Sequence, residues 1–256
     1  MLSEFHATLL LSPPHSIAQL LSSEALLSPT TDLKLKHGVI GLLKHLSQAS
    51  VHSVLNRTAL SNAGIIERIV ASGVWDDRSD VMADIVQVNA IGVIKHLCNS
   101  SSMSGFVSRL FIRSHDDLTL VDNSLAVVLP SDDAAATETT GLAQLVALIK
   151  RSDTVAVKSE GTRVIVNLIK SLWSSEPTAE QRSAEETQTR QQKRERAIQA
   201  LVTTSSVDAL AALIGRSAKH SILINEAVVA LSLLSTHRDG GRYIGLMYIF
   251  ICAYSC

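Results

Sequence analysis

Along most of this chain apolar residues recur every three or four positions, the spacing of a helix with one buried stripe. The clearest instances are four segments of one pattern: residues 40–47 (IGLLKHLS), 91–98 (IGVIKHLC), 166–173 (VNLIKSLW) and 228–235 (VVALSLLS). The first two agree at five of eight positions, and all four place large apolar residues at positions one, four and seven. A second amphipathic segment precedes each of the last three, at 64–70 (GIIERIV), 141–148 (GLAQLVAL) and 206–213 (SVDALAAL). Each of these runs into a short polar break: Ser72-Gly73, Arg151-Ser152-Asp153 or Gly215-Arg216-Ser217. Such breaks suit a tight turn between helices. The predicted unit is a short helix pair, repeated.

The last leucine of the pattern recurs at 46, 97, 172 and 234, with spacings of 51, 75 and 62 residues. All exceed the roughly 40–47 residues of a helical repeat of this kind. Inserts at 99–140 and 174–196 account for the excess, with an eroded repeat around 110–129 as the alternative for the longest spacing. In the second insert Ser175 suits an N-cap and Pro177 a first helical turn. Acids lead (Glu176, Glu180, Glu185, Glu186) and bases follow (Arg190, Lys193, Arg194, Arg196), matching the helix dipole, and Glu186 and Arg190 stand four apart in the favourable order. It reads as a solvated, charged helical extension, with a disordered loop as the rival. The expected organisation is an N-terminal helical or loop segment (1–33), the repeats (34–237) and an apolar tail (238–256). That tail follows Arg238-Asp239-Gly240-Gly241, and residues 243–256 hold all three tyrosines and two of the three cysteines. It reads as an aberrant end, dispensable for binding, with a membrane-touching segment or a buried final helix as alternatives.

Composition narrows the class. Twelve glycines and five prolines in 256 residues, with 4% aromatics, are too few for an all-β sandwich or barrel. With 46% hydrophobic residues there is ample material for a core, so the expected fold is all-α. Lys plus Arg is 23 against 24 for Asp plus Glu, a net charge of -1, without the basic excess of a nucleic-acid binder. Cys98, Cys252 and Cys256 are too few for a disulfide framework, which fits a reducing interior. Leu9-Leu10-Leu11 lacks a basic flank, so it is no signal peptide. Residues 243–256 fall short of the ~17–25 residues of a membrane span. The expectation is a soluble, cytoplasmic protein without stable membrane insertion. No Walker loop, HExxH, CxxC or GxSxG occurs, so no catalytic, cofactor or metal residue is assigned. His115-Asp116-Asp117 reads as a solvated loop and Cys98 as a buried structural thiol.

The paired segments resemble armadillo repeats, the two helices matching the second and third of a three-helix unit. Residues 35–46 (LKHGVIGLLKHL) and 85–97 (IVQVNAIGVIKHL) resemble more closely one branch of that family, the smg GDP dissociation stimulators. The resemblance covers about 34–237, the inserts excepted. It implies an α-solenoid, non-enzymatic, that binds small GTPases as a guanine-nucleotide dissociation stimulator or chaperone, the chain being a fragment of such a protein. Myosin-chaperone armadillo proteins and a generic armadillo scaffold are the alternatives. The importin-type ladder of Trp and Asn four residues apart is missing: the matching pairs are Gly41 and His45, Gly92 and His96, Asn167 and Ser171, Val229 and Leu233.

Stacked repeats would align equivalent positions on one face. Lys44, Lys95 and Lys170 then form one row, and His45, His96 and Ser171 the next. Gly41 and Gly92 would leave that wall open to a partner, with Asn167 at the third such position. These nine residues are the candidate partner-binding face, and the lysines its positive strip, unless they merely decorate a solvated side. A basic GTPase tail would call for acids instead, with Asp76, Asp77 and Asp80 as candidates.

Overall fold

The structure, a computed structural model, describes residues 16–48, 53–78, 81–99, 115–130, 139–174 and 184–245. Among them the chain is helical, with no strand. The helices are α1 (Ile17–Leu21), α2 (Leu33–Ser47), α3 (Ser53–Asn62), α4 (Ile65–Ala71), α5 (Val81–Leu97), α6 (His115–Val128), α7 (Gly141–Arg151), α8 (Val155–Trp173), α9 (Ala184–Leu201), α10 (Thr204–Arg216) and α11 (Ser221–Ser235). A further helical stretch runs over 238–245.

Local chemistry sets several starts. Asp32 accepts from the amides of Lys34 (2.9 Å) and Leu35 (3.3 Å), Thr140 from Ala143 and Thr203 from Ser206, each satisfying a donor that a helix N-terminus leaves free. Between α3 and α4 the chain turns through Gly64 in the left-handed region, φ 68°, where a side chain would be strained.

The four pattern-bearing helices pack in succession: α2 on α5, α5 on α8, and α8 on α11. Their apolar stripe is the core. Ile40, Leu43, Ile91, Ile94, Leu97, Val166, Ile169, Leu172 and Leu234 are all fully buried, each such side chain contributing about 1.5–3 kcal/mol. The second helices pack behind, α7 on α8 and α10 on α11. At Gly161 a methyl group would lie 2.8 Å from Ile149 Cγ1, so α7 and α8 meet where one side chain is missing.

The segments expected as inserts carry structure of their own. Helix α6 packs on α3, α4, α7, α8 and α9, and α9 packs on α6 and α8. Both lie where a first helix would precede the pair. Each also closes the end of the preceding pattern helix at the same position. Asn56 of α3 donates to the carbonyl of Leu46 (3.2 Å), Asn123 of α6 to that of Leu97 (2.8 Å), and Arg194 of α9 to that of Leu172 (2.7 Å). These are the last leucines of the pattern. The charged extension is therefore docked along one side, Arg190 pairing with Asp122 and Arg194 reaching back to α8. The reason is that its cations find acceptors a hydrophobic-pattern reading does not register. Likewise His115-Asp116-Asp117 opens α6 instead of lying in a loop.

The boundary expected at 238 also moves. Tyr243 and Ile244 pack against the core, and Gly240 is buried where a methyl group would lie 2.0 Å from the Leu234 carbonyl oxygen. Residues 246–256, most of the expected tail, lie outside the described residues. Among the described residues no single helix is long and apolar enough to cross a membrane.

Candidate functional site

The successive packing of α2, α5, α8 and α11 brings one side of each helix into a common face, and a chain of polar bridges crosses it. Lys44 of α2 donates to Asn89 Oδ1 of α5 at 2.9 Å. Lys95 of α5 forms an ion pair with Glu160 of α8. Glu160 also accepts from Arg163 at 3.3 Å, and Arg163 reaches on to Glu226 of α11 through Nε (3.0 Å) and Nη2 (3.4 Å). Every joint between pattern helices thus carries at least one polar latch. Charge-assisted bonds of this kind are stronger than neutral ones.

The electrostatics follow from this arrangement. Burial pushes the Glu160 carboxyl up, but the Lys95 bond and charge, with Arg163, hold it below its ordinary value. Burial opposes the charge on Arg163, yet Glu226 and Glu160 raise it. His96 lies among these cations. Burial, then Lys95 and Lys44, lowers it to about 4; it is neutral at physiological pH, with Nδ1 3.2 Å from Ser47 Oγ.

Several of the nine expected face residues are drawn together, but not as an open positive strip. Gly92 is buried, because the stem of Lys44 lies across it: a methyl group there would sit 3.1 Å from Lys44 Cε. The missing side chain serves helix packing. Lys44 bonds the neutral amide of Asn89 and Lys95 pairs with Glu160, both on the next helix, while Glu226 answers the charge of Arg163. Asn167 is buried and donates to the Lys95 carbonyl at 3.0 Å. Ser171 is buried too, and its hydroxyl has no partner among the described residues. Lys170 is half-buried and stands outside the chain of bridges; the cation of α8 in that chain is Arg163. His45 is exposed and Gly41 half-buried, and a methyl group on Gly41 would meet nothing within 4 Å.

Asn89, Glu160, Arg163 and Glu226 were missing from the sequence-derived set. Part of their signal was present: Asn89 and Glu226 each precede pattern position five by six residues, and Glu160 and Arg163 are an i,i+3 pair. Of the acids considered for a basic tail, Asp76 pairs with Arg151 at 3.4 Å and Asp77 faces Lys36, while Asp80 lies outside the described residues. Behind the face, a groove of about 940 Å³ runs between α6 and α9, lined by both signs of charge. Comparison with protein-family models, with curated proteins and with solved structures gave no match for this chain.

Proposed function

We propose that this chain is an armadillo-type α-solenoid whose stacked third helices form a protein-binding face, and that its partner is a small GTPase. The observation that carries the solenoid reading is the recurrent bond to the carbonyls of Leu46, Leu97 and Leu172. It supports reading α3–α4–α5, α6–α7–α8 and α9–α10–α11 as three units of one construction, with α2 as the last helix of a preceding unit. Solenoids use such extended faces for partners. The GTPase as partner class rests on the resemblance of residues 35–46 and 85–97 to the smg GDP dissociation stimulators.

The mode of action is differential binding. A face that binds the nucleotide-free GTPase more tightly than the GDP-bound form shifts that equilibrium without chemistry of its own. Because the bridging chain sets two acids against three cations, recognition would draw on directional polar contacts more than on long-range attraction. The test is a panel of small GTPases loaded with a fluorescent GDP analogue. Accelerated release by the purified chain, with tighter binding of the nucleotide-free form, is the expected result. His45→Glu combined with Lys170→Glu, which breaks none of the bridges, should weaken that binding. A panel in which no member binds in either state overturns the GTPase assignment.

A further inference from the structure

Pattern position one is buried in the first three stacked helices, at Ile40, Ile91 and Val166 (0% exposed each), but Val228 of α11 is 49% exposed. Position three is buried in the last three, at Val93, Leu168 and Ala230 (0% each), but Leu42 of α2 is 45% exposed. The exceptions fall at opposite ends of the stack. Position one shares a helix side with position five, whose lysines bond the following helix at Lys44 and Lys95. Position two faces the preceding helix: Gly92 lies under Lys44, and Asn167 bonds the Lys95 carbonyl. Gly41, its counterpart on α2, has nothing against it. Leu35 on α2, 45% exposed and seven residues before Leu42, extends the free side of that helix.

We infer that these two ends are the halves of one more joint, and that a second copy of this chain closes it by stacking its α11 on α2. The argument is continuity with the three internal joints. The α11 end offers the side that each earlier helix presents to its successor, and the α2 end the side that each later helix presents to its predecessor. Both halves are apolar where the internal joints are dry, and Gly41 leaves room for Ser232, which holds on α11 the position of Lys44. The contact is heterologous, head to tail, so it propagates instead of stopping at a symmetric dimer.

The test is sedimentation velocity of the intact chain at rising concentration, with Leu42→Arg and Val228→Arg, each checked for unchanged helicity and melting. Gly41→Arg serves as a second α2 variant should Leu42→Arg fold poorly. The expected result is that the wild type forms oligomers of increasing size and that each variant alone is monomeric. Mixed in equal amounts, the α2 and α11 variants should form a heterodimer and nothing larger, since one intact half remains on each. A wild type that stays monomeric overturns the inference. So does a variant that still self-associates, or a mixture that fails to pair.

Discussion

His96 shows how one residue reports on the packing around it. Burial first, and then Lys95, Lys44 and Arg163 with Glu160 opposing them, hold its imidazole at about 4 against an ordinary 6.5. The unfolded chain takes up that proton first, so the stability His96 confers is complete above about pH 6.5 and drains away as pH falls towards 4. One pH unit of separation is worth about 1.4 kcal/mol, before solvent reduces it at this half-buried site. Urea unfolding measured from pH 7 to pH 4 should show the wild type losing stability faster than His96→Gln, with the two converging at the acid end. Parallel curves would mean that burial and the neighbouring cations do not hold the ring neutral. Glu160, itself held below its ordinary value, adds a loss at lower pH common to both proteins. Cys98 is as the sequence implied, fully buried, with burial pushing its thiol up to about 12. Lys36 is not. It sits at a polar position of α2 yet is buried, its ammonium held by the carbonyls of Pro29 (3.1 Å) and Ser72 (3.2 Å). Nothing in local patterning announces a cation whose acceptors are carbonyls seven and thirty-six residues away.

Among the elements, the second and third helices were legible because each buries a continuous apolar stripe, and periodicity detects that directly. The first helices were not. Helix α9 buries only Ala197 and Leu201 between Glu185 and its end, and α6 carries buried Asn123 and Ser124 inside its apolar side. Their docking energy comes partly from side chains bonding main-chain carbonyls, which hydrophobic spacing cannot show. Asn123→Leu tests the point. It removes the donor to the buried Leu97 carbonyl, and leaving such a group unsatisfied costs about 1–3 kcal/mol. Chemical denaturation should register a loss of that size. A change near zero would mean that α6 is only laid against the preceding unit. The charge order read in the second insert did foretell a helix, since Ala184–Leu201 is one. Its description as solvated holds for most of residues 185–196 but not for the side of Arg190 and Arg194, where Asp122 and the Leu172 carbonyl supply partners from outside the segment.

For the whole molecule, the question is whether helices separated by long intervening stretches still form one continuous layer. Of the candidate face, the sequence showed that Lys44 and Lys95 hold the same position of the repeated pattern. It did not reveal that these lysines are spent on holding the row together, because their acceptors, Asn89 and Glu160, belong to the next helix in the stack. The joint between α5 and α8 is the most telling, since it spans the longest spacing, 75 residues between the last leucines of the pattern. There Lys95 and Glu160 are in direct contact. A zero-length carbodiimide coupling, which joins only an ammonium and a carboxylate already touching, read by peptide mass spectrometry on the monomer fraction, tests that joint. The account predicts a Lys95–Glu160 isopeptide, lost in Glu160→Gln. Absence of that link, or capture of Lys95 by a carboxylate elsewhere in the chain, would contradict the continuous stack.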